Sequence, residues 1–157
     1  MGRTKNAMLR AVSALLVCRA ALALDVDVED FGAKADNKTL SSVGINAALK
    51  AVAARGGGVV HARAKGTYRV ARIELQSDTQ LRIGPKTVLY ASDAEEDWTD
   101  RAVEVPEKCG GAGITQNATR GGVFFALRQS NFSITGGGTV NGAGAKWNND
   151  ARRAALS

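Results

Sequence analysis

The 157-residue sequence predicts a mainly β protein whose short strands coil into a β-solenoid behind a single amphipathic helix. Three observations support this fold class. The chain contains 18 Gly and only 2 Pro, and its Val-rich segments favour strands joined by tight turns. Only residues 42–55 have convincing helical spacing of apolar residues. An apolar-x-apolar, turn, Thr-Val pattern also occurs twice in a chain long enough for one domain.

The N-terminal segment, residues 1–23, is organised like a secretory signal peptide. Its basic residues come first (Arg3, Lys5 and Arg10). The apolar stretch 11–17 follows, and Ala21-Leu22-Ala23 has the small-x-small pattern of a cleavage site. The segment is too short to be a stable membrane span. We therefore expect a secreted protein, with an uncleaved anchor or a mitochondrial presequence as the alternatives.

The net charge of +6 does not indicate a nucleic-acid partner. Four basic residues precede residue 24 with no acid among them (Arg3, Lys5, Arg10 and Arg19), and the later basic residues are interspersed with acids. Cys18 would leave with the signal, so Cys109 has no partner for a disulfide in the mature chain. With His61 as the single histidine, no metal site is expected, and no motif predicts a cofactor.

The first elements after residue 24 are a strand, a turn and the helix. Residues 25–28 alternate acid and Val, which predicts a short strand, and Asp36–Thr39 is expected to be a turn. The helical segment 42–55 ends at Gly56-Gly57-Gly58. A helix at this position can cover the open end of a solenoid and hide its apolar core.

Short strands follow from residue 59 onward. They are predicted at 59–62, 67–70, 73–75, 79–83, 87–90, 123–127, 132–134 and 139–140. A polar, acid-rich stretch from Ser92 to Gly122 is expected to project from the scaffold. The repeated pattern aligns Leu81-Arg82-Ile83-Gly84 with Phe132-Ser133-Ile134-Thr135, about 51 residues later. This repeat predicts that the two segments lie on stacked turns of the solenoid.

Few residues carry recognisable chemistry. The glycine clusters 111–113 and 136–138 lack the last Gly of a dinucleotide fingerprint, and no Gly-Lys dipeptide is present for a P-loop. His61 lies in a Val-rich segment without a nucleophile motif elsewhere, which favours a structural or surface role over catalysis. An acidic cluster is interpreted as a solvated loop, since a flexible loop does not hold two carboxyls at a fixed separation. Its members are Glu95, Glu96, Asp97 and Asp100.

Two tryptophans and three asparagines are candidates for contact with sugars. Trp98 and Trp147 could each stack on a sugar ring, or else cover the core beneath a loop. The glycosylation sequons of the chain begin at Asn37, Asn117 and Asn131.

Several segments also follow one another in an order known from one family. The run Val28–Thr39 is similar to a Phe-Gly-Ala-x-Gly-Asp-Gly-x-Thr signature, and residues 131–142 are similar to an Ile-x-Gly-x-Gly-Thr-Ile-Asp-Gly turn. Between them lie matches at 56–60, 66–68, 73–77, 81–83 and 88–92, and Trp98 and Trp147 stand where aromatic residues are common. Over residues 25–147 the chain thus resembles the pectate-lyase-like superfamily, and in particular the polygalacturonase-like glycosidases (glycoside hydrolase family twenty-eight). That resemblance implies a right-handed single-stranded parallel β-helix, of which this chain holds the first coils, with an N-terminal capping α-helix.

The resemblance implies a secreted glycosidase of cell-wall carbohydrate metabolism, with a pectin-like polysaccharide as its partner. Inverting hydrolysis of galacturonan uses one carboxylic acid to protonate the leaving oxygen and a second carboxylate, roughly 6.5–9.5 Å away, to activate water. The family's catalytic strings are Asn-Thr-Asp, Asp-Asp, Gly-His-Gly and Arg-Ile-Lys, and none occurs in this sequence. Asn141 also stands where the family has Asp. No catalytic residue can therefore be assigned.

These departures shape the expected domain organisation. Residues 24–150 are expected to be the N-terminal part of the β-helix domain, and residues 151–157 a tail or truncation scar. Such a fragment is expected to be inactive alone, and the protein to be a monomer if complete. A last coil without a cover should leave apolar core and a sheet edge exposed, which makes the isolated chain marginally stable or aggregation-prone. The alternatives are a non-catalytic carbohydrate-binding β-helix and a pectate-lyase-like or rhamnogalacturonase-like member.

Overall fold

The computed structural model describes residues 23–98 and 122–144, which form parallel strands, one α-helix and two short 3-10 helices. The first part comprises β1 (Leu24–Asp27), a 3-10 helix (Val28–Phe31), β2 (Asp36–Leu40) and α1 (Ser42–Ala53). The next turn of the chain comprises β3 (Gly58–Ala62), β4 (Gly66–Val70) and β5 (Ile73–Glu74). The following turn comprises β6 (Thr79–Ile83), β7 (Thr87–Ala91), a second 3-10 helix (Glu95–Asp97) and β8 (Phe124–Phe125). The last described turn comprises β9 (Ser133–Gly136) and β10 (Thr139–Asn141).

The strands form three parallel sheets because each strand pairs with its equivalent on the neighbouring turn. The sheet orders are β1-β3-β6-β9, β10-β7-β4-β2 and β5-β8. Passing from β3 to β6 takes the chain from Gly58 to Thr79, which are paired residues, and one complete turn therefore lies between them. Parallel pairing of this kind needs a crossover, and here the crossover is the rest of the turn itself. The predicted solenoid is confirmed as a parallel β-helix.

The two segments of the sequence repeat do stack, but in a register different from the one predicted. Leu81 pairs with Ile134, not with Phe132. Phe132 and Ile134 are two residues apart and share a face of the strand, so the alternation of side chains does not choose between them as the partner of Leu81. The spacing of the repeat also exceeds one ordinary turn, which needs only the residues from Gly58 to Thr79. The extra length lies between β7 and β8, and residues 99–121 of it are outside the described part of the chain.

Helix α1 covers the end of the coil beside β1, as the sequence predicts. Its apolar face is fully buried in the core (Ile45, Ala48, Leu49 and Val52). A Cβ atom on Gly44 would lie 2.7 Å from backbone atoms of Phe31 and Ala33, so the absence of a side chain lets α1 approach the first 3-10 helix. The helix ends at Ala53, slightly before the predicted residue 55, and the following Gly56, Gly57 and Gly58 all have positive φ.

The segment predicted as a turn at Asp36–Thr39 lies within strand β2, so the turn prediction was incomplete. Pairing with β4 shifts register between Asp36 and Leu40, and Asn37 has a φ of 57°. Asp36 Oδ1 accepts hydrogen bonds from the backbone N–H groups of Lys38 (2.9 Å) and Thr39 (2.8 Å). These two bonds lower the pKa of Asp36 to about 2 because they favour the ionised carboxylate, and the bond from Thr39 has the larger effect. A turn held by the Asp36 side chain thus interrupts the strand.

The first 3-10 helix is tied to the core by Tyr68. Val28 is the first residue of this helix and is fully buried. The strand predicted at 25–28 thus ends one residue earlier than expected, at Asp27. The Tyr68 ring is buried in β4, and its hydroxyl donates a hydrogen bond to the Glu29 carboxylate. Burial, with the bond to Glu29 as a second cause, raises the pKa of Tyr68 well above its ordinary value.

Candidate functional site

An open groove with a volume of about 380 Å³ lies between α1, β5 and the second 3-10 helix. Helix α1 contributes Val43, Asn46, Ala47 and Lys50 to its wall. The opposite wall contains Arg72 and Glu74 near β5, together with Asp97 and Trp98. A concave site with apolar walls and a few polar groups is the usual form of a small-ligand site. The groove is therefore the candidate functional site of the described residues.

Asn46 sets the position of α1 relative to β5. Its side-chain Nδ2 donates to the backbone carbonyl of Arg72 (3.0 Å), and its Oδ1 accepts from the backbone N–H of Glu74 (2.8 Å). Strand β5 pairs with β8 on one side only within the described residues, so Asn46 satisfies backbone groups on its other edge. This role of Asn46 is not evident from the sequence, although an Asn within a helix pattern is a signal for a specific side-chain bond.

The charged side chains of the groove are paired. Lys50 Nζ lies 3.2 Å from Glu74 Oε2, and the Lys50 side chain is 55% exposed. An exposed ion pair of this kind contributes at most about 1 kcal/mol to stability, so a ligand can compete for the ammonium group at low cost. The Arg72 guanidinium carbon lies 5.0 Å from the ring centroid of Phe125, a cation–π contact between the groove and β8. The groove thus offers two cations held in defined positions.

Asp97 belongs to a fixed polar network, which corrects part of the prediction of a solvated acidic loop. Arg69 Nη2 lies 2.5 Å from Asp97 Oδ2, and Arg69 Nε donates to Ser92 Oγ at 2.9 Å. The Ser92 hydroxyl in turn donates to Asp97. Only 16% of the Asp97 side chain is exposed, because this charge is partnered and packed against β4. Glu96 is exposed as predicted, and Asp100 lies outside the described residues.

Trp98 is held at the rim of the groove by its indole. The indole N–H donates to the backbone carbonyl of Ser92 at 2.9 Å, and the ring is half-buried. A half-buried ring whose polar atom is bonded within the protein keeps part of its apolar surface in contact with solvent. Stacking of Trp98 on a sugar stays a prediction. The second candidate, Trp147, lies outside the described residues.

The two described sequons have different surroundings. Asn37 is exposed, and so is Asn131. The side-chain Nδ2 of Asn131, which is the atom that would carry a glycan, donates a 2.7 Å hydrogen bond to Asp78 Oδ1. Attachment at Asn131 must disturb this bond. The third sequon, at Asn117, lies outside the described residues.

His61 lies in β3, remote from the groove walls. It is buried, and its Nε2 lies 3.8 Å from Asp25 Oδ2. No group of three or more His, Cys, Asp or Glu side chains within residues 23–98 and 122–144 is arranged to hold a metal ion. Over the same residues, no helix has the length and apolar character needed to cross a bilayer.

The ladders and the capping helix define this chain as a parallel β-helix protein. No protein-family model matches the sequence, and no curated protein matches it. Solved structures do match. The fold is similar to that of a glycosyl hydrolase candidate from Parabacteroides merdae, with a TM-score of 0.60 and 27% identity over 78% of this chain and 46% of that one.

Two exopolygalacturonases have the same type of fold. A Family 28 exopolygalacturonase from Yersinia enterocolitica has a TM-score of 0.59 and 25% identity over 76% of this chain and 21% of its own. A hyperthermoactive exopolygalacturonase from Thermotoga maritima has a TM-score of 0.58 and 21% identity, over 76% of this chain and 25% of its own. This chain spans less than half the length of each of the three. The expected polygalacturonase-like fold, a right-handed single-stranded parallel β-helix with an N-terminal helix, is confirmed.

Proposed function

We propose that this chain supplies the N-terminal coils of a secreted, pectin-acting glycosidase scaffold of the polygalacturonase type, and that its groove binds a galacturonan chain. The observation that carries the proposal is the helix-capped coil of parallel ladders, a fold similar to that of the glycosyl hydrolase candidate and the two exopolygalacturonases. The names of the exopolygalacturonases give the substrate class, which is a polymer of galacturonate.

The chemistry of the groove suits such a polymer. A galacturonate unit has a ring face with C–H groups, several hydroxyls and one carboxylate. The Trp98 indole offers an apolar surface for the ring, and the Lys50 and Arg72 cations offer partners for the carboxylate. Asn46 and the Arg69–Asp97 pair hold the walls in place, so little ordering is needed when the sugar binds.

We propose binding without hydrolysis for the chain on its own. None of the four catalytic strings of the resembled family occurs in the 157 residues. Among the described acids, Asp97 is held by Arg69 and Ser92, an arrangement that suits a structural carboxylate more than a general acid. A non-catalytic carbohydrate-binding β-helix is the second candidate function, and the same sequence observation favours it.

Secretion is part of the proposal, and removal of residues 1–23 is compatible with the described fold. Cleavage after Ala23 would leave Leu24, the first residue of β1, as the new amino terminus. The Leu24 nitrogen donates to the Gly57 carbonyl at 3.2 Å, a bond that a free amino group can also make. In a secreting host we expect the mature chain to begin at Leu24, with glycan on Asn37 in excess of glycan on Asn131. Amino-terminal sequencing and glycopeptide mass spectrometry check both; an intracellular chain that retains Met1 would contradict secretion.

Calorimetric titration with trigalacturonate tests the binding function. We expect saturable binding to the wild-type chain, about tenfold weaker binding for Trp98→Ala, and near wild-type affinity for Trp98→Phe, which keeps an aromatic face. Maltotriose, which has no carboxylate, is the control ligand and should bind more weakly. Absence of trigalacturonate binding at millimolar concentration overturns the proposal, and release of new reducing ends from polygalacturonate overturns the non-catalytic part of it.

A further inference from the structure

A row of polar side chains crosses the outer face of the β1-β3-β6-β9 sheet, away from the groove. Cross-strand register places four residues side by side on the four strands: Asp27, His61, Arg82 and Thr135. The neighbours that alternate with them, Val60 and Leu81, are buried in the core, so the row faces outward. Neighbouring strands are about 4.8 Å apart, and the row is therefore a straight line across the sheet. We call these four residues the outer row.

Three atoms of the outer row are buried without a hydrogen-bond partner among the described residues: Asp27 Oδ1, His61 Nε2 and Thr135 Oγ1. His61 is only 8% exposed, and the 3.8 Å to Asp25 Oδ2 is too long for a hydrogen bond. Of these three atoms, Asp27 Oδ1 has an ionic partner, Arg63 Nε, at 2.8 Å. Since buried polar atoms nearly always have a partner, the atoms of His61 and Thr135 require one from outside the described residues, which is either water or a ligand.

The mixture of groups in the outer row suits a ligand rich in hydroxyls. A hydroxyl donates and accepts, so it can pair with His61 Nε2 whichever ring nitrogen carries the proton. Asp25 Oδ2 accepts only, and its 3.8 Å separation from Nε2 is a span that two neighbouring hydroxyls of one sugar can bridge. Acidic and basic groups alternate around His61, a charge pattern unlike the uniformly basic surfaces that bind nucleic acid.

Arg82 adds a preference for acidic sugars. It is exposed on β6, directly beside His61 in the cross-strand register. A guanidinium offers a planar fork of donors that matches a carboxylate. Thr135 follows on β9 and offers a hydroxyl to the next part of a polymer. The order of groups along the row is thus a hydroxyl site, a carboxylate site and a second hydroxyl site.

We propose that the outer row, together with Asp25 on the same face of β1, is a second saccharide-binding strip, in which His61 Nε2 and Asp25 Oδ2 bind neighbouring hydroxyls and Arg82 binds the carboxylate of a uronate unit. This inference rests on the proposed carbohydrate function but uses residues that the groove does not contain. A galacturonan chain bound there lies across four strands of the coil. The strip and the groove could therefore hold separate chains or separate parts of one chain.

His61 is the only histidine of the protein, so its imidazole gives a single, directly assigned NMR signal. We expect trigalacturonate to shift this signal saturably in the wild-type chain and equally in Trp98→Ala, which impairs the groove alone. His61→Leu should weaken binding at the strip about tenfold, and His61→Gln, which keeps hydrogen-bonding atoms, should recover part of the affinity. His61→Leu removes an unpaired buried polar atom, so the variant is expected to fold. Folding of both variants is checked by circular dichroism.

A matched pair of charge variants separates a specific carboxylate contact from general attraction. Arg82→Ala should weaken binding of trigalacturonate about tenfold and leave maltotriose unchanged, while Lys86→Ala, an exposed charge between β6 and β7, should change neither. Saturable trigalacturonate binding with an unmoved imidazole signal overturns the strip and leaves the groove proposal intact. Acetate that shifts the signal as strongly as trigalacturonate at equal carboxylate concentration also overturns it. Absence of any binding to the wild-type chain overturns both proposals.

Discussion

The helix-covered end of the coil and its last described turn are built from the same strand pattern but differ in burial. In the middle of the coil Leu81 is 1% exposed, whereas its partner on the next turn, Ile134, is 39% exposed. The same contrast separates Leu89 from its partner Val140. An inward-facing residue of a solenoid is buried only when turns lie on both sides of it. Burial here therefore depends on position along the coil axis and much less on residue type.

Truncation of the two partnered residues tests this contrast most strongly. Leu81→Ala removes a fully packed side chain and is expected to lower the free energy of unfolding by about 2–5 kcal/mol. Ile134→Ala removes a side chain that is already partly in water, and should cost about 1 kcal/mol or less. Urea unfolding followed by circular dichroism measures both. Equal losses for the two variants would contradict the difference in burial between the helix-covered part of the coil and its last described turn.

The helix end depends on close backbone approach. Gly44→Ala places a Cβ 2.7 Å from backbone atoms of Phe31 and Ala33, so α1 must move away, at an expected cost of about 1–3 kcal/mol. This outweighs the roughly 1 kcal/mol that Ala normally gains over Gly inside a helix. Gly142→Ala is the control, since no atom lies within 4 Å of its added Cβ. A Gly44→Ala chain as stable as wild type would show that α1 does not need this contact.

The exposed turn should control association. Of the five exposed large apolar residues of the described chain, Ile134 and Val140 lie in this turn, and Leu127 and Phe132 lie just before it, between β8 and β9. Val140→Thr is expected to lower aggregation while changing the stability of the monomer by less than about 1 kcal/mol. Light scattering during storage at fixed concentration measures the effect. Unchanged aggregation would indicate that another surface drives association; Val43, exposed on α1, serves as the comparison through Val43→Thr.

The smallest expected effect is an acid dependence at β2, the edge strand of the helix-covered end. The pKa of Asp36 is lowered from 3.8 to about 2 by its bonds to Thr39 and Lys38. Its contribution to stability is therefore present above pH 3.8 and is lost as the pH falls through about 2. The difference in urea midpoint between wild type and Asp36→Asn should shrink from pH 5 to pH 2. A difference in urea midpoint that stays constant from pH 5 to pH 2 would contradict this role of Asp36.

The sequence predicts the local elements well because each has a local cause. Helix α1 follows from the spacing of Ile45, Leu49 and Val52, and the strands β3 to β7 follow from short apolar runs between turn residues. The strand register has no such local cause. Which residue of β9 lies beside Leu81 depends on the pairing of β8 and on the length of chain between β8 and β9, and no local pattern encodes these.

The groove was only partly predictable for the same reason. Trp98 was a candidate from its residue type, but Asn46 and Arg72 meet only because α1 packs against the edge of β5. Asp97 was placed in a solvated loop because its partner, Arg69, is distant in sequence. Pairings over such separations follow from the coil and cannot be derived from either residue alone.

The return of the chain after β7 has a practical consequence. Ile73 pairs with Phe124 and Glu74 with Phe125, so β8 holds its register against β5 although a long segment separates β8 from β7. These pairs give the segment after β7 a fixed point of return in the neighbouring turn. The segment is therefore a suitable place for peptide grafting. An epitope, an affinity tag or a protease site inserted between residues 98 and 122 should leave the pairing of β5 with β8 intact.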